Sequence, residues 1–275
     1  MYSRVYLEIT NICNKNCSFC HKTKREPKSL TLSEFDLITD KLIGITEYLY
    51  LHLMGEPLIH PLISDFVELA TKKGFKVAIT TNGTLLNKVG DKLLSAGLYK
   101  LNISLHSFED EDKNAYDKYI NNCIEFADKS SKVGVLTVFR LWNNGFDGGR
   151  NDDILSILQS KLSGEWQQGS RGYRIRNKLH LEYGDRFTWP DINAPFISDN
   201  VFCYGLRDHF GILSDGTVVP CCLDSDGIVK LGNVFESSLK EILNTPRAKA
   251  IFDGFTSRTP SEELCKRCGY AQRFK

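Results

Sequence analysis

Three cysteines near the amino terminus have the spacing of a metal-binding motif. Cys13, Cys17 and Cys20 form a C-x3-C-x2-C run just after the strand-like segment Val5–Ile9. Three thiolates can hold a four-iron cluster and leave one iron without a protein ligand, whereas an electron carrier usually closes all four positions. An iron that is open to another ligand indicates chemistry rather than electron storage. The run taken by itself is also compatible with a zinc knuckle or a disulfide pair.

A second group of cysteines lies near the carboxyl terminus. Of the nine cysteines in the chain, Cys203, Cys221, Cys265 and Cys268 have the spacing C-x17-C-x43-C-x2-C. Four thiolates can close around one metal centre, and zinc and iron–sulfur clusters both accept such a set. In a reducing compartment cysteines are more often metal ligands than disulfides. The two groups therefore predict two metal centres.

The composition is that of an ordinary globular protein. Of 275 residues, 41% are hydrophobic and 25% are charged, and the formal net charge is +1. This balance gives no sign of a nucleic-acid or membrane partner. The sequence has no run of about 18 apolar residues that could span a bilayer, and no signal peptide precedes the first cysteine. We therefore expect a cytoplasmic protein that binds neither nucleic acid nor membrane.

Short apolar runs alternate with helix-like segments between residues 4 and 140. The strand candidates are Val5–Ile9, Tyr48–Leu53, Lys76–Thr80, Lys100–Leu105 and Gly134–Leu141. The helix candidates are residues 32–43, 61–73, 85–96, 112–131 and 151–162. This alternation indicates parallel strands with right-handed crossovers, as in a TIM-like barrel or a doubly wound sheet. In both folds the ligand site lies at the carboxyl ends of the strands.

Polar residues and glycines recur where the predicted strands end. The cysteine triad follows the first strand, Gly55 and Glu56 follow the second, and Asn82 follows the third. Ser104 lies at the end of the fourth strand and Arg140 at the end of the fifth. Each of these could be an ordinary turn or surface residue if it stood alone. Their common placement makes them candidate site residues.

The carboxyl-terminal part is predicted to be a smaller second unit. Ser163–Arg176 has the composition of a loop, and a sixth strand is expected near Lys178–Glu182. Two short strands, Phe210–Leu213 and Val218-Val219, flank an Asp-Gly turn, which is a hairpin signal. Helix-like segments follow at Ser237–Asn244 and Ala248–Phe252. We predict one domain over residues 1–198 and a second over residues 199–275.

Together these features resemble the radical S-adenosylmethionine (SAM) superfamily. The match rests on the cysteine triad with Phe19 before its last cysteine, on Gly55-Glu56, on Asn82 and on Ser104, in this order along the chain. It covers residues 4–145. The resemblance implies an α/β fold, a partial (β/α)6 TIM-like barrel with a small carboxyl-terminal β-hairpin plus helix iron–sulfur domain.

The same resemblance implies roles for the site residues. The triad Cys13, Cys17 and Cys20 would hold a [4Fe-4S] cluster, with SAM at the open iron. Gly55 would let the chain pass close to the methionyl group of SAM, and Glu56 or nearby carbonyl groups would accept hydrogen bonds from its ammonium. The other cofactor-binding candidates are Phe19, Asn82, Ser104 (for the ribose) and Arg140 (for the SAM carboxylate).

Residues 200–275 resemble the twitch domain, the short form of the SPASM domain that accompanies some radical SAM enzymes. By this likeness Cys203, Cys221, Cys265 and Cys268 hold one auxiliary [4Fe-4S] cluster, since the full SPASM pattern needs more cysteines. The adjacent Cys222 is interpreted as a packing residue, an alternative ligand or a catalytic hydrogen-atom donor. We expect Cys123, in a helix-like segment, to be a buried structural residue.

The implied activity is reductive cleavage of SAM to a 5′-deoxyadenosyl radical, which takes a hydrogen atom from the substrate. An auxiliary cluster favours oxidation or crosslinking afterwards, whereas a thiol donor would give epimerisation. The substrate is a peptide or a small molecule such as a sugar or an aminocyclitol. GTP-rearranging cyclases of the superfamily are disfavoured, because Gln272–Lys275 lacks their Gly-Gly ending.

The implied partners are a reductant such as flavodoxin or ferredoxin and, for a peptide substrate, a separate peptide-leader-binding protein, because the chain begins almost at its first strand. Two other classes of protein would use the same cysteines. A non-catalytic iron–sulfur carrier is disfavoured by the open triad. A zinc-binding module for nucleic acid is disfavoured by the near-zero net charge.

Overall fold

One mixed β-sheet runs through the protein. The computed structural model describes residues 1–109 and 112–274, so Lys275, the last residue of the predicted second domain, lies outside the described residues. The strands are β1 (Arg4–Leu7), β2 (Tyr48–Tyr50), β3 (Lys76–Thr81), β4 (Lys100–Ser104), β5 (Leu136–Asn144), β6 (Gln167–Gly169), β7 (Gly172–Arg176), β8 (Leu179–Asp185), β9 (His209–Ile212), β10 (Thr217–Val219) and β11 (Gly232–Asn233). They pair in the order β11-β10-β9-β1-β2-β3-β4-β5-β8-β7-β6.

Helices follow most of the parallel strands. They are α1 (Leu32–Leu42), α2 (Ile63–Lys72), α3 (Leu86–Ser95), α4 (Lys113–Lys132), α5 (Arg150–Lys161), α6 (Leu239–Leu243), α7 (Pro246–Thr256) and α8 (Glu263–Lys266). Short 3₁₀ turns cover Pro57–Ile59, Leu105–Ser107 and Gly269–Arg273. Within residues 1–109 and 112–274, no helix is both long and apolar enough to cross a membrane.

Six strands form the predicted partial barrel. Strands β1, β2, β3, β4, β5 and β8 pair in parallel, each with the next. This confirms the predicted α/β barrel, including its sixth strand. The register places Ser104 opposite Arg140, and Arg140 opposite Glu182. Ser104 ends β4, whereas Arg140 and Glu182 lie in the middle of β5 and β8, so the prediction that Arg140 ends its strand is wrong because β5 continues to Asn144. The three polar residues nevertheless share one level of the barrel.

The first helix shows how local sequence and packing agree. Thr31 caps α1, and the Glu34 carboxylate bonds back to the Thr31 backbone amide, a reciprocal capping box. The buried face of α1 includes Phe35, whose ring stacks on Phe66 of α2 with centroids 4.3 Å apart. Burying a side chain of this size stabilises the fold by about 1.5–3 kcal/mol. The loop between β1 and α1 is thus fixed where it enters α1.

One predicted loop is a β-hairpin. Within Ser163–Arg176, residues 167–169 and 172–176 form β6 and β7, and β7 pairs antiparallel with β8. Strand β6 is fully exposed, so no alternation of apolar residues marks it in the sequence. Backbone pairing to the edge of β8 stabilises this hairpin instead. Strand β5 also extends to Asn144, three residues beyond the predicted end at Leu141.

The carboxyl-terminal unit continues the barrel sheet. Strand β9 pairs in parallel with β1, from Arg4 opposite His209 to Leu7 opposite Ile212. The predicted hairpin is present, because β10 pairs antiparallel with β9 across the turn at Asp215 and Gly216. The division into two domains stays a prediction. The structure adds that residues on both sides of that division share one sheet, which brings the second cysteine group to the barrel.

Candidate functional site

The loop between β1 and α1 carries the cysteine triad and is closed on itself. Thr10 and Ser29 form an isolated antiparallel bridge, and their hydroxyl oxygens lie 2.8 Å apart. The Asn11 side chain donates to the Glu26 carbonyl and accepts from the Lys28 amide, both at 2.8 Å. These contacts hold the base of the loop, so the cysteines stand at the carboxyl end of β1.

The three cysteines of this loop differ in exposure and in their contacts. Cys13 is exposed, whereas Cys17 and Cys20 are half-buried. The Cys20 amide donates to the Cys17 carbonyl at 3.2 Å, and the Cys17 thiol donates to the Ser107 carbonyl at 3.5 Å. The Lys15 amide donates to the Cys13 sulfur at 3.4 Å. Contacts from the loop itself and from the end of β4 thus orient the triad.

The electrostatics of the triad fit an iron–sulfur cluster. Burial raises the pKa of Cys17 to about 11, and the neighbouring Glu109, Cys20 and Cys13 add to the shift. A bound metal would hold such thiols as thiolates. All nine cysteines of the chain are free. No group of three or more His, Cys, Asp or Glu in the described residues is closed around a single ion.

Gly55 lies close to the backbone of the cysteine loop. It has a φ of +75°, and an added Cβ would lie 2.4 Å from the Thr10 carbonyl oxygen and 2.7 Å from that of Ile12. The backbone of the cysteine loop therefore fills the space that a side chain at this position would need, and the approach of Gly55 to the methionyl group of SAM stays a prediction. The Glu56 amide also donates to the Ile12 carbonyl at 2.9 Å. Gly55 is a positioning residue that lets the loops after β1 and β2 pack together.

The Glu56 carboxylate is likewise a positioning group. It accepts hydrogen bonds from the Leu58 amide at 3.0 Å, the Thr81 hydroxyl at 2.7 Å and the Asn82 amide at 2.7 Å. Burial nevertheless raises its pKa to about 7, which these bonds only partly offset. Its oxygens bind the loops after β2 and β3 to each other, and the expected contact of Glu56 or nearby carbonyl groups with the SAM ammonium stays a prediction.

Asn82 lies beside the triad. Its side-chain amide donates to Asn14 at 2.9 Å, and its Oδ1 accepts from the Thr84 amide and hydroxyl. Burial raises the pKa of Cys13, and a hydrogen bond from the Asn82 side chain is among the smaller effects that oppose this rise. The role of Asn82 in cofactor binding stays a prediction.

Phe19, Ser104 and Arg140 line a cavity of about 1380 Å³. Phe19 packs against His106 with ring centroids 5.0 Å apart. The cavity also includes Cys203, Cys221, Cys222, Cys265 and Cys268 in its lining. The aromatic residue of the triad loop and the second cysteine group therefore face one continuous space.

The four predicted auxiliary ligands come together in the fold. Cys203 lies ahead of β9, Cys221 follows β10, and Cys265 and Cys268 lie in and just after α8. Burial raises the pKa of Cys221 well above its usual value, and Cys222, Cys203, Cys268 and Cys265 act on it in addition. Cysteine thiolates are the usual ligands of iron–sulfur clusters, so these four residues stay the predicted ligands of the auxiliary cluster.

Cys222 and Cys123 have different surroundings. Cys222 lines the cavity, and a hydrogen bond with Tyr6 of β1 partly opposes the burial that raises its pKa to about 11. Cys123 is fully buried, and its thiol donates to the Gly83 carbonyl at 3.9 Å. Burial raises the pKa of Cys123 to about 12. Cys123 is therefore a packed structural residue, as expected.

Sequence reasoning missed a buried carboxylate that links the two cysteine groups. Glu8 is fully buried, and Arg25 of the triad loop donates to both of its oxygens at 2.7 Å. Glu8 also accepts from the Ser214 amide at 3.1 Å and hydroxyl at 2.8 Å. The same Arg25 donates to the Ser225 carbonyl at 2.8 Å. The sequence signal was a charged residue, Glu8, in a predicted apolar strand. Its partners Arg25 and Ser214 could not be inferred, because they lie far from Glu8 in the sequence.

The polar wall of the cavity was also missed. Its residues alternate along the barrel strands, for example Tyr50 and His52 around β2, Thr80 on β3 and Lys100 on β4. Burial lowers the pKa of His52 to about 3, with Arg140 and Lys100 contributing, so its imidazole is neutral. Tyr and His at every second position were a readable signal for residues facing the barrel interior.

Comparison with known families decides what this arrangement belongs to. A model described as the radical SAM superfamily matches residues 7–141, and one described as an iron–sulfur cluster-binding domain matches residues 203–269. The chain belongs to the radical SAM superfamily. Its cofactors are accordingly a [4Fe-4S] cluster, SAM and an auxiliary iron–sulfur cluster, and the chain is a radical SAM enzyme. The two matched regions contain the two cysteine groups.

Individual relatives extend this comparison. The chain is 34% identical over 209 residues to the GTP 3′,8-cyclase of Aliarcobacter butzleri, which covers 73% of this chain and 60% of that protein. It is 31% identical over 173 residues to the GTP 3′,8-cyclase of Alkaliphilus oremlandii, covering 56% of this chain and 51% of that one. The chain thus spans about half to three-fifths of the length of these two curated relatives.

A solved structure matches over nearly the whole fold. The crystal structure of BtrN in complex with AdoMet and 2-DOIA superposes with a TM-score of 0.62 at 18% identity. The match covers 98% of this chain and 93% of BtrN. At this identity the likeness concerns the fold, and it includes the carboxyl-terminal unit as well as the barrel.

Proposed function

We propose that this radical SAM enzyme oxidises a polar small molecule held between the two cysteine groups. The observation that supports this most is the single cavity of about 1380 Å³, whose lining includes Phe19 of the triad loop and the auxiliary cysteines. Pockets for one small ligand usually measure about 300–1000 Å³, so this space suits SAM together with a second small molecule. Its wall of buried polar side chains suits a substrate that is itself polar.

The chain's own residues would supply binding and orientation. Cys13, Cys17 and Cys20 would hold the cluster that binds SAM, and Cys203, Cys221, Cys265 and Cys268 would hold the auxiliary cluster. When bound, SAM and its cluster supply the means to remove a hydrogen atom from the substrate, and the auxiliary cluster supplies an acceptor for the electron that the substrate then loses. The barrel strands keep the substrate carbon in place and exclude water. The fold of BtrN, crystallised with AdoMet and 2-DOIA, is consistent with a small substrate.

A second candidate is rearrangement of a nucleotide. The relatives from Aliarcobacter butzleri and Alkaliphilus oremlandii are both named GTP 3′,8-cyclase. Their names favour GTP as a substrate to be tested beside uncharged polyols, aminocyclitols and peptides. The two candidates differ in their product, because an oxidation removes two hydrogens from the substrate whereas a cyclising rearrangement leaves its mass unchanged.

The experiment is anaerobic turnover with these four substrate classes. The reconstituted enzyme is incubated with SAM and dithionite, and both 5′-deoxyadenosine and the mass of the product are followed. We expect a small molecule to yield a product lighter by two hydrogens. When the reacting carbon of this substrate carries deuterium, the deuterium should appear in 5′-deoxyadenosine. A GTP product of unchanged mass would favour the second candidate. Formation of product from peptides only would contradict both.

A further inference from the structure

One wall of the cavity ends in unpartnered nitrogen atoms. His52, Arg140 and Trp142 all line the cavity. His52 Nδ1, Arg140 Nε and Trp142 Nε1 are buried and have no hydrogen-bond partner among the residues that the structure describes. Buried polar atoms are nearly always paired in folded proteins, so each exception calls for a physical explanation. Arg140 Nε faces the Glu182 carboxylate at 3.6 Å, which is an ion pair without a hydrogen bond, whereas His52 Nδ1 and Trp142 Nε1 have no polar partner within the described part of the chain. Their common place on one cavity wall points to a ligand that accepts from them.

The hydroxyl of Thr80 determines which nitrogen of His52 carries the proton. Thr80 Oγ1 accepts from Arg140 Nη1 at 3.4 Å and from Asn102 Nδ2 at 3.1 Å, which uses both of its lone pairs. Its own proton therefore goes to His52 Nε2, which is 3.1 Å away. With Nε2 as an acceptor, the neutral imidazole carries its proton on Nδ1. All three unpartnered nitrogens are then donors.

The charges around these donors are predominantly positive. The Arg140 guanidinium lies over the Trp142 ring at 4.6 Å, which holds their two N–H groups on the same wall. Lys100 lines the same cavity, and the charged groups that act on it are Arg140, Glu182 and Arg4. Glu182 is 3.6 Å from Arg140 Nε and partly balances these cations. Arg140 and Lys100 together still outweigh this one carboxylate.

Arg140 lies near residues of both halves of the cavity. Burial lowers its pKa, and among the ionisable groups that also act on it are Glu182, Tyr6 and Tyr270, of which Tyr270 follows the auxiliary Cys268 by two residues. Its carbonyl is 3.0 Å from His106 Nδ1, and the His106 ring packs on Phe19 of the triad loop. The assignment of Arg140 to the SAM carboxylate stays a prediction, so the test below is made with SAM bound.

We propose that His52, Arg140 and Trp142 form a subsite that binds an oxyanionic group of the substrate, a phosphate or a carboxylate. Three donors with an excess of positive charge require a ligand that only accepts hydrogen bonds, and both groups meet that requirement. The inference rests on the proposed function, because it names the chemical group by which the substrate is oriented. It narrows the substrate class to polar small molecules that carry such a group.

Calorimetry on the reconstituted holoenzyme tests this subsite without turnover. Under anaerobic conditions and with saturating SAM, inorganic phosphate is titrated in one series and malonate in another. Trp142→Phe removes one N–H and keeps the ring, so we expect about tenfold weaker binding, the loss of one hydrogen bond to a charged group. Arg140→Lys should weaken binding by a similar factor. The matched control is Trp166→Phe, because Trp166 Nε1 donates to the Leu162 carbonyl and does not line the cavity.

Each outcome has a defined meaning. Binding of phosphate only identifies a phosphate ester as the substrate class, binding of malonate only identifies a carboxylate, and binding of both supports the shared oxyanion chemistry. Binding of neither probe, or equal affinity in wild type, Trp142→Phe and Arg140→Lys, overturns the subsite. Binding that occurs only without SAM also overturns it, since it assigns the donors to SAM. None of these results depends on product formation, so the proposed function can fail or succeed separately.

Discussion

The triad cysteines stand on one loop of the chain, whereas the auxiliary cysteines come from three segments between Cys203 and Cys268. Cys13 of the triad is exposed, while no auxiliary cysteine is. Burial accordingly raises the pKa of Cys221 and Cys265 well above the usual value for a thiol. The difference teaches that a local motif can place one cluster near solvent, but that the other depends on tertiary folding.

The two regions are nevertheless joined by the same buried groups. Glu8 bonds Arg25 of the triad loop and Ser214 of the carboxyl-terminal unit. Thr23 of the triad loop also donates to Asp226 at 2.7 Å. A change at this junction should therefore affect the stability of both regions. Replacing the thiols of one group should instead affect the function of that group only.

The largest expected effect comes from removing the ligands of one region at a time. Replacing Cys13, Cys17 and Cys20 together with alanine should abolish formation of 5′-deoxyadenosine, because SAM would lose its cluster. Replacing Cys265 and Cys268 should spare some cleavage of SAM that is uncoupled from substrate oxidation. Chromatographic assay of 5′-deoxyadenosine with SAM and dithionite checks both. Equal loss in the two variants would contradict the division of roles.

The junction is tested next, through protein stability. Glu8→Ala leaves the Arg25 guanidinium and the Ser214 amide without their buried acceptor, and breaking a buried ion pair costs about 3–5 kcal/mol. For a chain of this size that lowers the thermal unfolding midpoint by on the order of 10 °C.

The matched control for the junction is an exposed ion pair. The Lys72 and Glu68 side chains are 69% and 54% exposed, so Glu68→Ala should cost about 0–1 kcal/mol. Similar unfolding midpoints for Glu8→Ala and Glu68→Ala would show that Glu8 does not hold the two regions together.

Two glycines with positive φ test how closely the triad loop is packed. Gly55 and Gly74 both have positive φ, of +75° and +91°, but an added Cβ meets the Thr10 carbonyl at 2.4 Å in the first and nothing within 4 Å in the second. Gly74→Ala should cost about 1–2 kcal/mol from backbone conformation only. Gly55→Ala should cost clearly more, and it should reduce the iron content by displacing the loop. Denaturation and iron analysis of the two variants measure this difference, and equal losses would contradict the close approach.

The smallest expected effect is a pH dependence on the triad side. Burial raises the pKa of Glu56 to about 7 in the folded state, whereas the unfolded carboxyl titrates near its ordinary value of 4.5. The folded state thus keeps a proton that the unfolded state has released, so stability falls as the pH rises through this window. Between pH 5.5 and 7.5 the loss is about 2 kcal/mol.

Denaturant unfolding of the wild type and of Glu56→Gln, measured at several pH values, isolates this contribution. Glutamine does not titrate, so the stability of the wild type relative to Glu56→Gln should decrease with rising pH. A difference that stays constant across the window would show that the carboxyl is ionised throughout.

The barrel was predictable because its signals are local. Each predicted strand and helix between residues 4 and 162 overlaps an observed one, and the capping box at Thr31 and Glu34 is present. The triad was predictable for the same reason, since its three cysteines form one short run. The hairpin of β6 and β7 was not, because its exposed residues carry no pattern and its stability comes from pairing with β8.

The roles of the site residues were harder to predict than their positions. Gly55 and Glu56 were found by their place after β2, but the groups that they contact lie on the loops after β1 and β3. Contacts between distant segments leave no signal in a single sequence. The oxyanion subsite shows the same limit, because its donors come from the segment just after β2 and from β5, and they become a set only when the barrel forms.

Electron paramagnetic resonance of the reduced, reconstituted protein with and without SAM tests most directly that the two thiol sites are distinct and that one of them binds SAM. We predict two cluster signals at about eight irons per chain, of which one changes on addition of SAM. That change should persist when Cys265 and Cys268 are replaced and disappear when the triad is replaced. Two signals that SAM leaves unchanged, or a change that follows the auxiliary cysteines, would contradict the account.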